Sequence, residues 1–143
     1  MTSVVVDAGV AVKWCLPSVR EALVAEAEEL LASSRREEIR FLVPDLFWVE
    51  LANALWKAVR RTELSADNAA SAISFVRDLD IATLASVDLV PQALDLVVTY
   101  GRTVYDSLYV ALAVQSKSEL ITADERLANA LAAHLPVKWL GAF

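Results

Sequence analysis

Four acidic residues stand at the edges of otherwise apolar segments, and their types suit one kind of chemistry. They are Asp7 after Thr-Ser-Val-Val-Val, Glu50 within Phe-Trp-Val-Glu-Leu-Ala-Asn, Asp106 before Ser-Leu-Tyr-Val-Ala-Leu-Ala, and Asp124 after Leu-Ile-Thr-Ala. Carboxylates about 5 Å apart repel by about 3 kcal/mol per pair at an effective dielectric constant of about 20, so several together need a cation. Oxygen ligands without His or Cys select Mg²⁺ or Mn²⁺, which can activate water and stabilise charge on a phosphoryl oxygen. If folding brings these four residues together, they predict a metal site for phosphodiester hydrolysis.

Each of these acids also has a structural interpretation. Asp7 can cap a short helix, Asp106 can be the acidic half of a capping box, and Asp124 can complement a helix dipole. Glu50 begins a polar series at helical spacing that is typical of a solvated helix face; the series continues with Asn53, Lys57, Arg60 and Arg61. Sequence spacing alone leaves both interpretations open.

Composition limits the class of protein. A chain of 143 residues with 57% hydrophobic content can bury one substantial core, which predicts a single domain over residues 1–143. The formal charge of -6 disfavours binding of nucleic acid by whole-molecule attraction, so any such contact needs a local basic patch or a metal. The single Cys15 excludes an intrachain disulfide, and with the single His134 it leaves too few soft ligands for structural zinc. Charges interrupt every long apolar stretch, and no leader pattern is present, which predicts a soluble cytoplasmic protein without membrane contact.

The elements that must position the acids alternate along the chain. The strands are expected at 4–6, 41–43, 81–84, 119–121 and 137–140. The helices are expected at 8–14, at 20–33, after a cap at Asp45 through 61, after a cap at Ser65 through 77, from Pro91 to about 101, and after capping boxes that begin at Thr103 and Thr122. This order favours an α/β domain with a mainly parallel sheet, in which ligands bind beyond the carboxyl ends of the strands.

Four segments carry a resemblance to a known family. They are Val5-Val6-Asp7-Ala8 with Lys13-Trp14 following, Pro44 through Glu50-Leu-Ala-Asn53, Thr103-Val-Tyr-Asp106-Ser-Leu-Tyr-Val-Ala-Leu-Ala, and Leu120-Ile-Thr-Ala-Asp124. In these segments the chain resembles PIN-domain ribonucleases, specifically the VapC-type toxins of toxin-antitoxin modules. The resemblance implies a three-layer α/β/α domain with about five short, mainly parallel strands. It also implies an endoribonuclease that acts on cellular RNA, forms a homodimer and is inhibited by a small antitoxin.

The same resemblance implies roles for individual residues. Asp7, Glu50, Asp106 and Asp124 would be the catalytic and metal-binding acids, with Mg²⁺ as cofactor and Mn²⁺ as a possible substitute. Asn53 shares the helix face of Glu50 and would orient it. Thr122 and Ser107 are expected to hold carboxylates or waters, although capping or exposure would explain them as well.

Contacts to RNA are expected from cations near the motifs. Lys13, Arg102 and Arg126 are the candidates, with a solvated surface charge as the alternative for each. The tryptophans at 14, 48, 56 and 139 invite a base-stacking interpretation, but most of them are expected to serve in packing.

Gly9 departs from the family pattern, because many relatives carry a small hydroxyl or amide residue two positions after the first aspartate. This departure, together with the lack of an obvious basic surface, keeps open a catalytically weak PIN-like module that acts mainly by binding protein. A receiver-like Mg²⁺-binding signalling domain is the other alternative, but it needs paired acids after an early strand, and this chain has only Asp7 there.

Overall fold

Five short strands form one parallel sheet at the centre of the computed structural model, which describes residues 1–16 and 21–143. The strands are β1 (Thr2–Val6), β2 (Ile39–Pro44), β3 (Ala82–Leu84), β4 (Glu119–Thr122) and β5 (Val137–Trp139). Their order in the sheet is β3-β2-β1-β4-β5, and all four neighbouring pairs are parallel. Val4, Val5 and Val6 are buried without alternation, as expected for a central strand covered on both faces.

Seven α-helices in the described ranges cover the sheet. They are α1 (Ala8–Cys15), α2 (Val24–Arg35), α3 (Leu46–Arg60), α4 (Ala66–Arg77), α5 (Val90–Tyr100), α6 (Val104–Gln115) and α7 (Glu125–Leu131). The chain moves from β1 to β2 in one direction across the sheet and returns through α5 and α6 to β4 on the other side of β1. Because such crossovers are right-handed, the helices α1 to α4, which precede β3, lie on one face, and α5 and α6, which follow it, lie on the other. The expected three-layer α/β/α fold with a parallel sheet is confirmed.

Most helix boundaries follow the caps expected from the sequence. The Ser65 side chain accepts a hydrogen bond from the Asn68 amide at 3.1 Å, and the Thr103 side chain accepts one from the Asp106 amide at 3.1 Å. Gly101 ends α5 in the left-handed conformation with φ of 75°, which glycine adopts without steric cost.

Three of the expected helix starts or caps differ from the structure, and β1 and β2 are each longer than expected. α2 begins at Val24 rather than at Arg20, because Leu23 is left-handed with φ of 58°; Arg20 itself lies outside the described residues. Asp45 precedes α3 but does not cap it, since its carboxylate accepts a hydrogen bond from the Ser86 hydroxyl. The capping box at Thr122 is wrong as well: Thr122 is the last residue of β4, and Asp124 caps α7 by accepting from the Leu127 amide at 3.2 Å.

None of the helices within residues 1–16 and 21–143 has the length and apolarity needed to span a bilayer. The point that matters for function is the junction between β1 and β4. There the direction of the chain across the sheet reverses, and the carboxyl ends of the two strands open a crevice of the kind in which α/β proteins bind ligands.

Candidate active site

Asp7 is the residue most firmly held at this junction. It follows β1 directly, and its Oδ1 accepts hydrogen bonds from the amides of Val10 at 3.1 Å and Ala123 at 3.5 Å. Its Oδ2 accepts a hydrogen bond from the Thr122 hydroxyl. Removal of the carboxylate from water raises the pKa of Asp7 to about 6; the hydrogen bonds oppose this rise, and the negative charge of Glu50 adds to it. Asp7 does cap α1, but a cap alone does not require a half-buried carboxylate whose charged form is disfavoured.

Thr122 connects the two acids that follow β1 and β4. It is fully buried, and besides donating to Asp7 its hydroxyl accepts from the Asp124 amide at 3.0 Å. The hydroxyl that the sequence suggested as a helix cap therefore holds a carboxylate, which is the other role the sequence predicted for it. Asp124 is itself exposed and caps α7.

Glu50 reaches the same region through a contact from α6. The Tyr109 hydroxyl donates a hydrogen bond of 2.5 Å to Glu50 Oε1, and Tyr109 is buried. Burial is the largest cause that raises the pKa of the phenol; the bond to Glu50 and the negative charges of Glu50 and Asp7 raise it further. Tyr109 therefore stays protonated and acts as a hydrogen-bond donor.

Asp106 lies in the first turn of α6, three residues before Tyr109 and on the same helix face. Burial raises the pKa of its carboxyl group, and the charge of Asp124 raises it too, whereas the bond to Thr103 and the charge of Arg102 lower it. Asp106 and Asp124 therefore influence one another electrostatically, as Asp7 and Glu50 do.

The four acids thus interact electrostatically as two pairs, in which the charge of Glu50 acts on Asp7 and the charge of Asp124 acts on Asp106. Across residues 1–16 and 21–143, no three side chains of Asp, Glu, His or Cys stand close enough together to bind one ion. The donor set nevertheless fits a hard cation, because every candidate ligand is a carboxylate oxygen. In addition, the charged forms of Asp7 and Asp106 are disfavoured, and a nearby cation would favour them.

The other predicted site residues lie in different settings. Asn53 is exposed on α3, and the hydrogen bond to Glu50 comes from Tyr109 instead; Ser107 is buried in α6. Lys13 is buried and forms an ion pair with Glu21 at 3.2 Å.

The two arginines proposed for RNA contact differ in exposure. Arg102 is half-buried and close enough to Asp106 to lower the pKa of its carboxyl group. Arg126 is exposed in the first turn of α7.

Tyr109 was not among the residues expected at the site. A signal was present, since a phenol within the buried run Ser-Leu-Tyr-Val-Ala-Leu-Ala needs a hydrogen-bond partner, and it stands three residues after Asp106. The sequence gives no indication that this partner is Glu50, which is 59 residues away.

Gly9 borders the Asp7 carboxylate, as the family pattern implies for this position. A Cβ atom added at Gly9 would lie 3.1 Å from the Ala123 Cβ and 3.3 Å from Asp7 Oδ1. Both distances are tighter than ordinary van der Waals contact, so a side chain at this position needs Ala123 or the Asp7 carboxylate to shift by a few tenths of an ångström. In this chain Asp7 Oδ1 is held by the backbone amides of Val10 and Ala123.

Comparison with known proteins identifies the family of the chain. The family model described as PIN domain matches residues 4–131, which include all four acids. The chain belongs to the PIN-domain family. It is 36% identical over 129 residues to the curated Ribonuclease VapC3 of Pyrobaculum aerophilum, a match that covers 87% of this chain and 92% of that protein. The resemblance to VapC-type PIN proteins is thereby confirmed.

Solved structures show the same fold. PAE2754 from Pyrobaculum aerophilum superposes with a TM-score of 0.70 at 24% identity, covering 99% of this chain and 92% of that one. VapC20 of Mycobacterium tuberculosis, described as a sarcin-ricin loop cleaving toxin, superposes with a TM-score of 0.66 at 15% identity. The match covers 92% of this chain and 95% of VapC20. VapBC2 from Rickettsia felis, bound to a DNA fragment from its promoter, superposes with a TM-score of 0.64 at 11% identity. The match covers 96% of this chain and 98% of the matched chain.

Proposed function

We propose that the protein is a metal-dependent endoribonuclease that hydrolyses RNA phosphodiester bonds as the toxin of a toxin-antitoxin pair. The observation that carries this proposal is the Asp7 carboxylate, which is withdrawn from water at the end of the central strand, beside the charge of Glu50. A carboxylate in that setting is unfavourable unless a cation or a catalytic task requires it. The relative named Ribonuclease VapC3 supports RNA as the substrate.

Asp7, Glu50, Asp106 and Asp124 would hold the metal, and its binding would draw their side chains closer together than they stand without an ion. Mg²⁺, or Mn²⁺ in its place, supplies a positive charge that offsets the charge on the phosphate and lowers the pKa of water when it is bound. The raised pKa values of Asp7 and Asp106 support this assignment, because a nearby cation would favour their charged forms.

The remaining residues orient these carboxylates. The Thr122 hydroxyl and two backbone amides occupy lone pairs of Asp7, which fixes the plane of its carboxylate. The Tyr109 hydroxyl holds Glu50 in the same way from the opposite helix. Such partners commonly change metal affinity or activity by about 10- to 100-fold when they are removed.

The partners follow from the same proposal. We expect an antitoxin protein to bind and inhibit this chain, and the structural likeness to the VapBC2 complex supports this expectation. We also expect a homodimer, and, because the substrate is cellular RNA, activity in the cytoplasm.

A weakly catalytic module that acts by binding protein is the second candidate, and Gly9 is the observation in its favour. The polar side chain that many relatives carry beside the first aspartate is missing, and only backbone amides replace it. The receiver-like alternative is wrong, because the chain belongs to the PIN-domain family.

Cleavage of RNA by the purified protein, freed of any antitoxin, tests the proposal. We expect cleavage with Mg²⁺ or Mn²⁺, none with a chelator, and a loss of about 100-fold or more, equivalent to about 2.7 kcal/mol of barrier, in Asp7→Asn and Asp106→Asn. Asp80→Asn is the matched control, since Asp80 is exposed before β3 in a left-handed conformation that Asn also tolerates. Circular dichroism checks that all variants fold. Equal cleavage by the wild type and both site variants would contradict the proposal and favour the binding module.

A further inference from the structure

The exposed side of α3 continues from the candidate active site as a polar face. Asn53, Lys57 and Arg61 follow Glu50 at intervals of three, seven and eleven residues, which places them along one side of the helix. Asn53 and Lys57 on the helix and Arg61 at its end are exposed, while Glu50 is half-buried where Tyr109 contacts it. At about 1.5 Å per residue, this face extends about 15 Å beyond Glu50.

Three cations are concentrated at the far end of this face. Lys57, Arg60 and Arg61 lie within five residues of one another, in a chain that has 13 Lys and Arg against 19 Asp and Glu. Together they line a cavity of about 320 Å³. The ion pairs found in the described ranges involve Lys13 and Arg36, so the three cations have no carboxylate within 4.0 Å.

An exposed indole lies beside these cations. Trp56 is 53% exposed, and the Arg60 guanidinium lies over its ring at 4.9 Å from the centroid. Tryptophan is highly buried on average in folded proteins, so an indole this accessible next to cations is unusual for a residue that serves only in packing. The α3 dipole favours Lys57 and Arg60 near the helix end, but it gives no reason for an exposed Trp56.

These features match the chemistry of single-stranded nucleic acid. Cations along a groove contact backbone phosphates, and an aromatic ring next to an arginine provides a surface on which a base can stack. The face begins at Glu50, one of the four proposed catalytic acids, so an RNA strand leaving that site along α3 meets the cations next.

We infer that the α3 face formed by Asn53, Trp56, Lys57, Arg60 and Arg61 binds single-stranded RNA next to the cleavage site. Lys57, Arg60 and Arg61 contact phosphates, and Trp56 stacks on a base. The inference rests on the proposed ribonuclease function for its substrate, but it concerns binding and is measurable without cleavage. This local basic surface resolves how a chain of net charge -6 can hold an anionic polymer.

Binding of a fluorescein-labelled 20-nucleotide single-stranded RNA of mixed sequence, followed by anisotropy in EDTA, tests the inference. In the variant Lys57→Gln/Arg60→Gln/Arg61→Gln we expect binding to weaken by about 10-fold or more. The slope of log K against log salt should become shallower by about 2, because about 0.7 is lost per phosphate contact on a single strand. Trp56→Leu should weaken binding by about 5-fold or more and leave the salt slope unchanged, because stacking is not ionic.

A second triple variant with the same change in net charge is the control. Arg35→Gln/Arg40→Gln/Lys117→Gln removes three exposed cations elsewhere in the fold, and Arg35 lies over the Phe75 ring as Arg60 lies over Trp56. We expect RNA affinity within about 2-fold of the wild type. Equal weakening by the two triple variants would overturn the inference, since the effect would then come from net charge alone.

Two further measurements distinguish an RNA-binding face from a face that binds acidic protein. With Mg²⁺, the α3 variants should raise KM for RNA cleavage and leave kcat near the wild-type value, because they remove binding common to substrate and transition state. Poly-L-glutamate of similar length should compete weakly; if it binds as tightly as RNA and loses affinity in the same variants, the face serves an acidic protein segment and the inference is overturned. Failure of the wild type to cleave RNA would refute the proposed enzyme, whereas the anisotropy in EDTA decides the α3 face independently.

Discussion

Asp7 combines the two features that a metal-binding carboxylate needs, fixed orientation and an unfavourable charge. Three hydrogen-bond donors hold its oxygens, yet its pKa remains near 6 because burial outweighs them. The folded protein therefore carries a cost at neutral pH that a bound cation would relieve. A carboxylate that served only as the α1 cap would be better placed in water.

The pH dependence of stability tests this cost. The pKa of Asp7 is about 6 in the folded chain and near 3.8 when unfolded, so well below pH 3.8 both states are protonated and no cost arises. Between about pH 4 and 6 the folded state holds a proton that the unfolded state releases, and folding loses stability as pH rises. We therefore compare the free energy of unfolding of Asp7→Asn with that of the metal-free wild type. The difference should rise in favour of the variant by roughly 2 to 3 kcal/mol between pH 4 and pH 7. Urea unfolding at both pH values in EDTA measures it, and a pH-independent difference would contradict the assignment.

Tyr109 tests whether the orientation of Glu50 matters. Tyr109→Phe removes the hydroxyl that donates to Glu50 Oε1 and keeps the ring in the core. We expect the RNA cleavage rate to fall by about 10-fold or more, with a stability loss of about 1 to 2 kcal/mol. Tyr105→Phe is the control, because Tyr105 is 62% exposed on the same helix. Single-turnover cleavage at saturating protein would detect the loss, and wild-type rates in Tyr109→Phe would exclude a positioning role.

At the scale of elements, α6 is the helix on which the site depends most. Its first turn carries Asp106, its next turn carries Tyr109, and its buried side packs against β1, β2 and β4. A shift at the start of α6 would therefore move Asp106 and the donor to Glu50 together. The cap at Thr103 fixes that start.

Two helix caps of identical geometry separate stability from activity. Thr103 and Ser65 each accept a hydrogen bond of 3.1 Å from the amide three residues later, at the starts of α6 and α4. Thr103→Ala and Ser65→Ala should each cost about 1 kcal/mol of stability. We expect only Thr103→Ala to reduce RNA cleavage, by about 5- to 10-fold, because a misplacement well below 1 Å at catalytic groups is enough for such a loss. Equal cleavage by the two variants in an assay well below their melting temperatures would show that the start of α6 does not position the site.

At the scale of the whole molecule, one helix presents an apolar face to solvent. Val90, Leu94 and Val98 recur every four residues on α5 and are 45%, 55% and 79% exposed. Exposed apolar side chains scattered singly are ordinary, but three in register on one helix form a patch that association would cover. The homodimer proposed for this chain would gain from covering this face.

Substitution within this patch tests that assignment. Leu94→Glu should convert a dimer into a monomer at micromolar concentration, because it adds a charge at the centre of the apolar face. Sedimentation velocity measures the change, and Thr99→Glu, at an exposed residue on the same helix, adds the same charge outside the apolar series and serves as the control. A Leu94→Glu variant that sediments as the wild-type dimer would exclude this face as the interface.

Local patterns in the sequence were sufficient for most of the fold. Continuous apolar strands, caps at Ser65 and Thr103, and Gly101 after α5 each depend on neighbouring residues, and each matches the structure. The predictions failed where a partner distant in sequence competes for a side chain. Asp45 interacts with Ser86 instead of capping α3, and Thr122 donates to Asp7, 115 residues away, instead of capping α7.

The sequence by itself determined the types of the four acids, their places at strand and helix ends, and the family to which the chain belongs. Only the tertiary structure decided which acids are neighbours, that Tyr109 supports Glu50, and that the carboxylate of Asp7 is withdrawn from water. The physical reason is that strand ends and caps are set by local backbone preferences. The pKa of a carboxylate and its hydrogen-bond partners depend instead on groups brought close by the crossing of distant elements.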